Sequence, residues 1–282
     1  GYVLARGQSQ VIALHDCDIV SYDRQYLARL CYPVANPNLA YEFCKGYYSR
    51  VTDRMHGRVT RLFITPLIRS LQLLVGPHPL LSFLDSFRYP LAGEFAMVRD
   101  LAWINRIPGD WGLEVGMLAE VYRNCALRRI CQADIADAYE HKHQTLSTHN
   151  PDAGLLKMCV DITKSLLRNL ASEGLVLSES TLKTLRATYL QAAQEAISRY
   201  ENDAAINSLR FDRHEERRAV EVFLRGMTLA TDSFLGDPLG VPMISNWSRV
   251  THAVPDIFHR LMDAVEQDHA RDPTAETRQP VS

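Results

Sequence analysis

The chain has 282 residues, 46% of them hydrophobic and 23% charged, with a formal net charge of −2. That is ordinary globular composition for roughly two domains of about 150 residues, or one large α/β domain with an appendage, and it excludes a disordered or fibrous chain. The balance of charge gives no basic nucleic-acid surface, and no run of about 18 apolar residues offers a membrane span.

Residues 1–6 read as the end of a helix stopped by Gly7. Val11-Ile12-Ala13-Leu14 is a short apolar β-type run, expected to be a buried strand, and His15-Asp16-Cys17-Asp18 follows it at once. Open α/β sheets present ligands at the carboxyl ends of such strands. Residues 23–33 pattern as a helix, 40–48 as a strand, 57–75 as an amphipathic helix interrupted near Pro66, and 94–98 as a strand. A helix over 112–127 and a strand over 129–137 complete an alternation that implies a mixed or parallel sheet with helices on its faces. From about residue 152 the period changes. Segments 152–172, 178–201, 214–233 and 251–269 are helix-periodic, with Ser178 and Ser180 as candidate caps. Residues 271–282 read as a disordered tail.

The six cysteines lack CxxC spacing, and most stand beside apolar residues. They read as reduced core thiols of a cytoplasmic protein. Residues 1–150 carry 16 Lys+Arg against 14 Asp+Glu, and residues 151–282 carry 15 against 19. The cations are 26 Arg and 5 Lys. Arginine's planar fork suits carboxylate and phosphate ligands, although a preference for GC-rich codons gives the same bias.

Five short segments carry chemistry. Asp16 and Asp18, two carboxylates at a strand end, can bind a hard cation such as Mg²⁺ or Mn²⁺, and an exposed turn explains them equally. Tyr139-Glu140-His141-Lys142-His143 follows a strand of the same sheet, where a histidine ligand could converge with Asp18. Tyr89-Pro90-Leu91-Ala92-Gly93-Glu94 allows close backbone approach and offers Glu94 to a hydroxyl, or is a plain loop. Asp110-Trp111-Gly112-Leu113-Glu114 can stack and hydrogen-bond a sugar, or is a capped helix start. His56-Gly57-Arg58-Val59-Thr60-Arg61 opens a helix with backbone N–H groups, a guanidinium and a hydroxyl, a natural anion site or a capped helix with solvated arginines.

The order of these segments is more specific than any one of them. Asp-x-Asp after a strand, Phe-x-Lys-Gly-Tyr (43–47), Gly-Arg-Val-Thr (57–60), Pro-Leu-x-Gly-Glu (90–94), Gly-x-Glu-x-Gly (112–116) and a late His before Thr-Leu-Ser (145–147) together resemble the glucosyl-3-phosphoglycerate synthases. Mannosylglycerate synthases are similar at greater distance. The resemblance covers roughly residues 8–150. It implies a GT-A fold, a Rossmann-like mixed sheet with flanking helices, followed by an α-helical C-terminal region over 151–270.

It implies roles as well. Asp16, Asp18 and His141 would hold Mg²⁺ or Mn²⁺ on the donor's diphosphate. Gly57, Arg58, Val59, Thr60 and His143 would bind 3-phosphoglycerate. Leu91 would present its carbonyl to the anomeric carbon, and with Asp18 it stands at the reacting centre. Gly93, Glu94, Trp111 and Glu114 would bind the hexose. Lys45 matches a family lysine without an assigned role. His56, Ala92, Trp111, Tyr139 and His143 depart from the usual residues around acceptor and sugar.

The implied activity is a retaining, metal-dependent transfer of a hexose, glucose first, from a nucleotide sugar to 3-phosphoglycerate, serving glucosylglycerate compatible-solute or polysaccharide-precursor synthesis, by a cytoplasmic homodimer. GDP-mannose or free glycerate as substrate, an inactive nucleotide-binding scaffold, and a metal-dependent phosphohydrolase are the alternatives. The family places about half of its nucleotide-binding domain before the Asp-x-Asp strand, so a chain that begins Gly1-Tyr2-Val3-Leu4 reads as missing its N-terminal portion.

Overall fold

The structure, a computed structural model, describes residues 1–20, 22–137, 139 and 153–271. Helix α1 (Tyr2–Arg6) ends at Gly7, whose φ of 66° is left-handed. Strand β1 (Val11–Leu14), α2 (Arg24–Ala35) and β2 (Phe43–Tyr48) follow. A π-helical stretch (Val59–Ile64) then runs directly into α3 (Thr65–Val75). Next come α4 (Pro79–Asp85), β3 (Phe95–Val98), α5 (Arg99–Ile104), α6 (Leu113–Asn124) and β4 (Ile130–Ala136). The rest is helical among the described residues: α7 (Gly154–Ser172), α8 (Glu179–Ile206), α9 (Arg213–Gly236), α10 (Trp247–Ala253) and α11 (Ile257–Arg271).

The sheet has strand order β1-β3-β2-β4. β2 and β4 are parallel, with Phe43 opposite Ile130, and the other two pairings are antiparallel. The expected mixed sheet is therefore present. The side-chain period of two sends alternate residues to opposite faces. Cys44, Ala96 and Ile135 meet Leu30 and Val34 of α2 on one side. Phe43, Phe95 and Met97 enter the other core, which continues through Phe63, Leu67 and Leu118 into Leu166, Leu185 and Phe223 of the helical region. All six cysteines are free, and Cys44, Cys125 and Cys159 are buried.

Several expectations are corrected. β1 is not a buried strand: it lies at the sheet edge, half-buried, with Leu14 exposed. The second strand starts at Phe43 rather than Ala40, because Ala40 has a φ of 55°, which no strand residue adopts. Residues 251–269 are not one helix. α10 ends before Pro255, whose ring and missing N–H break the ladder, and α11 restarts at Ile257. Helices α4 and α5 were not foreseen. Ser178 caps α8 by accepting from Thr181 N, whereas Ser180 only hydrogen-bonds the Ser178 hydroxyl.

Pro66 does not interrupt its helix. In an α-register its nitrogen would face the Leu62 carbonyl, and proline has no hydrogen to give. The turn before it is widened to π, with Thr65 N bonded to Thr60 O. The Leu62 carbonyl accepts instead from the Tyr189 hydroxyl of α8, at 2.8 Å.

Candidate active site

A cleft of about 540 Å³ opens where the segment after β1, the end of β2, the 54–60 loop and the 89–91 turn converge, with α6, α7 and α9 completing its walls. Asp16, Asp18, Leu91, Trp111 and Glu114 line it. So do Gly57, Arg58, Val59 and Thr60. Segments read as separate signals thus share one cavity. Gly93 and Glu94 lie behind its wall. His141 and His143 lie outside the described residues.

The acidic wall is built around Lys45. This lysine of β2 is fully buried, and its ammonium donates to the Ala92 carbonyl. Burial lowers its pKa to about 8, while Glu114, Glu94 and Asp16 pull the other way. Burial raises Glu114 to about 7. Burial raises Asp16 to about 6, with repulsion from Glu94 and Asp18 adding to the effect. Glu94 is fully buried and accepts from Tyr139 Oη at 2.7 Å, with Asp16 N at 3.4 Å. Its Oε2 is buried with no hydrogen-bond partner. A β-carbon on Gly93 would stand 2.0 Å from Asp16 Oδ1. The glycine in Pro-Leu-x-Gly-Glu therefore makes room for the Asp16 side chain. Asp110 turns the chain into α6 by accepting from Gly112 N at 2.9 Å.

The donor set fits a hard divalent cation. Asp16 and Asp18 supply carboxylates, and the concentration of buried negative charge, with an orphaned oxygen on Glu94, is of the sign that a cation offsets. Among the described residues no group of three His, Cys, Asp or Glu side chains converges as a metal site. The third ligand expected, His141, is not among them.

Another part of the lining is basic. Gly57, at φ 73°, turns the chain into the π-helical stretch. Thr60 Oγ1 is buried without a hydrogen-bond partner at the cleft. Arg61 Nε and Nη2 donate to the carbonyls of His56 (2.9 Å) and Met55 (3.2 Å), pinning the loop. Arg58 Nε donates to Glu216 Oε1 at 2.8 Å and its Nη2 to Glu215 Oε2 at 2.9 Å. Both glutamates stand in the first turn of α9, where the helix dipole favours them.

Sequence reasoning missed further residues of the cleft. Arg50 lies two positions past β2, donates to Tyr89 Oη at 3.0 Å and keeps Nε buried without a partner. A strand-end arginine at the sheet edge that carries Asp16 was the available signal. Leu155, Met158 and Ile162 of α7 also line the cleft. Their apolar stripe was legible, but not that part of it faces a ligand space. Among the described residues no helix is long and apolar enough to cross a membrane.

No family model matches the chain. It is 52% identical over 272 residues to the glucosyl-3-phosphoglycerate synthase of Persephonella marina, covering 96% of this chain and 67% of that protein. It is 44% identical over 269 residues to the protein of the same name from Methanococcoides burtonii, covering 94% of this chain and 66% of that one. The chain thus spans about two thirds of the length of the curated relatives it matches. Among solved structures it is similar to a glucosyl-3-phosphoglycerate synthase of Mycobacterium tuberculosis in complex with Mn²⁺, UDP-glucose and phosphoglyceric acid, at a TM-score of 0.46 and 20% identity, covering 63% of this chain and 54% of that one.

Proposed function

Because the chain belongs to the glucosyl-3-phosphoglycerate synthase family, we propose that it carries the metal, sugar and acceptor sites of a metal-dependent glucosyltransferase acting from UDP-glucose on 3-phosphoglycerate. The observation that carries this reading is the convergence, in the lining of one cleft, of the acidic Asp16, Asp18 and Glu114 with the Gly57–Thr60 segment. The first suits a cation and sugar hydroxyls. The second suits an acid bearing a phosphate and a carboxylate.

Asp16 and Asp18, with His141, hold Mg²⁺ or Mn²⁺. That ion supplies Lewis-acid stabilisation of the departing diphosphate. Glu114 and Trp111 bind the hexose, with Glu94 and Gly93 supporting from behind. Arg58, Thr60 and the backbone at 57 and 59 receive the acceptor's anionic groups, a role that His143 would share, and so orient its 2-hydroxyl. Leu91 stands at the reacting centre. Its turn is closed by Ala92 N to Tyr89 O at 3.3 Å and anchored by Lys45 through the Ala92 carbonyl, which fixes the Leu91 carbonyl next to it.

No side-chain nucleophile is needed. The anomeric carbon–phosphate oxygen bond breaks, the carbon–acceptor oxygen bond forms on the same face, and the hydroxyl proton passes to the departing phosphate oxygen. The product keeps the anomeric configuration of the donor. The reading extends to a GT-A domain ending near residue 150, a helical region after it, and a homodimer in the cytoplasm.

Assay of the protein with UDP-glucose, 3-phosphoglycerate and Mn²⁺, with NMR of the product's anomeric proton, tests the reading. Asp18→Ala is expected to lower transfer by about 100-fold or more. Wild-type turnover in that variant would remove Asp18 from the metal site, and an inverted product would end the same-face mechanism. Light scattering at assay concentration tests the dimer, and a monomeric mass would remove it.

A further inference from the structure

Arg58 faces two adjacent glutamates that do different work. Glu216 is buried, and its carboxylate spans Arg58 Nε at 2.8 Å and Arg61 Nη2 at 3.2 Å. It belongs to the scaffold that holds the 55–61 segment against α9. Glu215 lines the cleft with its side chain 47% exposed. Its carboxylate accepts from Arg58 Nη2, and the Asp212 cap accepts from its backbone N–H. Arg58 Nη1 has no hydrogen-bond partner among the described residues. The guanidinium is therefore locked on its Nε edge by a buried acid, and on its outer edge by a solvent-accessible one.

We propose that Glu215 sets the affinity for the acceptor as an internal competitor: its carboxylate occupies the place on Arg58 that an anionic group of the acceptor takes. This rests on the functional reading of Arg58 above. An anion reaching that edge meets a like charge on the same guanidinium, so it binds by displacing Glu215 or by sharing Arg58 against repulsion. A ligand that also engages Thr60 and the 57–59 backbone has other interactions to offset that displacement. A simple anion, such as inorganic phosphate, has only the guanidinium. Glu215 thus keeps Arg58 oriented and occupied until an acceptor of several anchors arrives, and every acceptor binds more weakly than the guanidinium alone would allow.

The test is steady-state kinetics of Glu215→Gln, with 3-phosphoglycerate as acceptor and inorganic phosphate as competing anion. The variant is expected to lower the acceptor KM and the phosphate Ki by about 3- to 5-fold each, the range of an exposed ion pair. The donor KM stays as in the wild type. An unchanged or raised acceptor KM overturns the proposal, since a purely positioning Glu215 would weaken binding on removal. Glu215→Ala repeats the measurement with the side chain gone, and thermal melts of both confirm folding. In the Arg58→Ala background, Glu215→Gln is expected to have no effect on the acceptor KM; an undiminished effect there also overturns it. If Arg58→Ala alone leaves the acceptor KM unmoved, the functional reading fails. If Arg58→Ala raises it and Glu215→Gln does not lower it, only the Glu215 proposal fails.

Discussion

The two walls of the cleft hold their charge in opposite ways. On the acidic wall Lys45 and Glu94 are buried and Glu114 is half-buried, and one lysine stands among several carboxylates. Two of those carboxylates respond by rising to about 6 and about 7. On the basic wall Arg58 and Arg61 are already matched by Glu215 and Glu216, and part of that pairing is open to solvent. The first wall is an uncompensated interior that a cation would stabilise. The second is a compensated surface on which a ligand must exchange with a protein partner.

The largest effect that would break the comparison is loss of the lysine. Lys45→Met leaves Glu94, Glu114 and Asp16 without their buried cation and frees the Ala92 carbonyl. It is expected to cost about 3 kcal/mol of stability in denaturant titration at pH 7. A loss below about 1 kcal/mol would mean that the carboxylates are balanced from elsewhere. On the basic wall, Arg58→Ala is expected to raise the acceptor KM by tenfold or more, at about 2 kcal/mol for a charge-assisted hydrogen bond, with little change in the donor KM. Equal changes in both would merge the walls into one function.

Glu114→Gln sharpens the contrast through pH. The folded-state pKa of Glu114, about 7, lies above its ordinary value of 4.5. Its contribution to stability is therefore fully present below pH 4.5 and is lost as pH rises through 7. Glutamine does not titrate. The variant is expected to match the wild type near pH 4.5 and to exceed it by roughly 2 kcal/mol at pH 8, while losing transfer. Parallel melting curves across that range would overturn the assignment. The smallest effect is Tyr189→Phe, which strips the Leu62 carbonyl of its hydroxyl donor and is expected to cost about 1 kcal/mol.

Much of the acidic wall was legible because its residues lie in short motifs at strand ends and helix starts. Asp16, Asp18 and Glu114 were each readable from a few neighbours, and Leu91 only through the family resemblance. Their setting was not. Lys45 was noticed but had no role, since nothing local shows that β2 places its ammonium under the Ala92 carbonyl. Gly93 was read as room for a ligand, because the proximity of Asp16 depends on pairing between β1 and β3. The basic wall was half legible. Gly57, Arg58 and Thr60 stood out, but their counter-ions come from α9, more than 150 residues later. The π-helical register was hidden for the same reason: the partner that makes it tolerable is Tyr189. Edge placement of β1 was invisible because four apolar residues look alike in a central and an edge strand.

Those long separations have a consequence in time. The Leu62 carbonyl waits for a hydroxyl 127 positions further on, and Arg58 for a carboxylate 158 positions further on. As a ribosome extends the chain, β1 to β4 can pair and enclose Lys45 while α8 and α9 are still unmade. The 57–62 segment then stands with an unserved carbonyl and unmatched arginines until the last long helices emerge and dock. Closure of such distant contacts is slow relative to local structure. The cleft is thus completed one side at a time, the side built around Lys45 first and the Gly57–Thr60 side last.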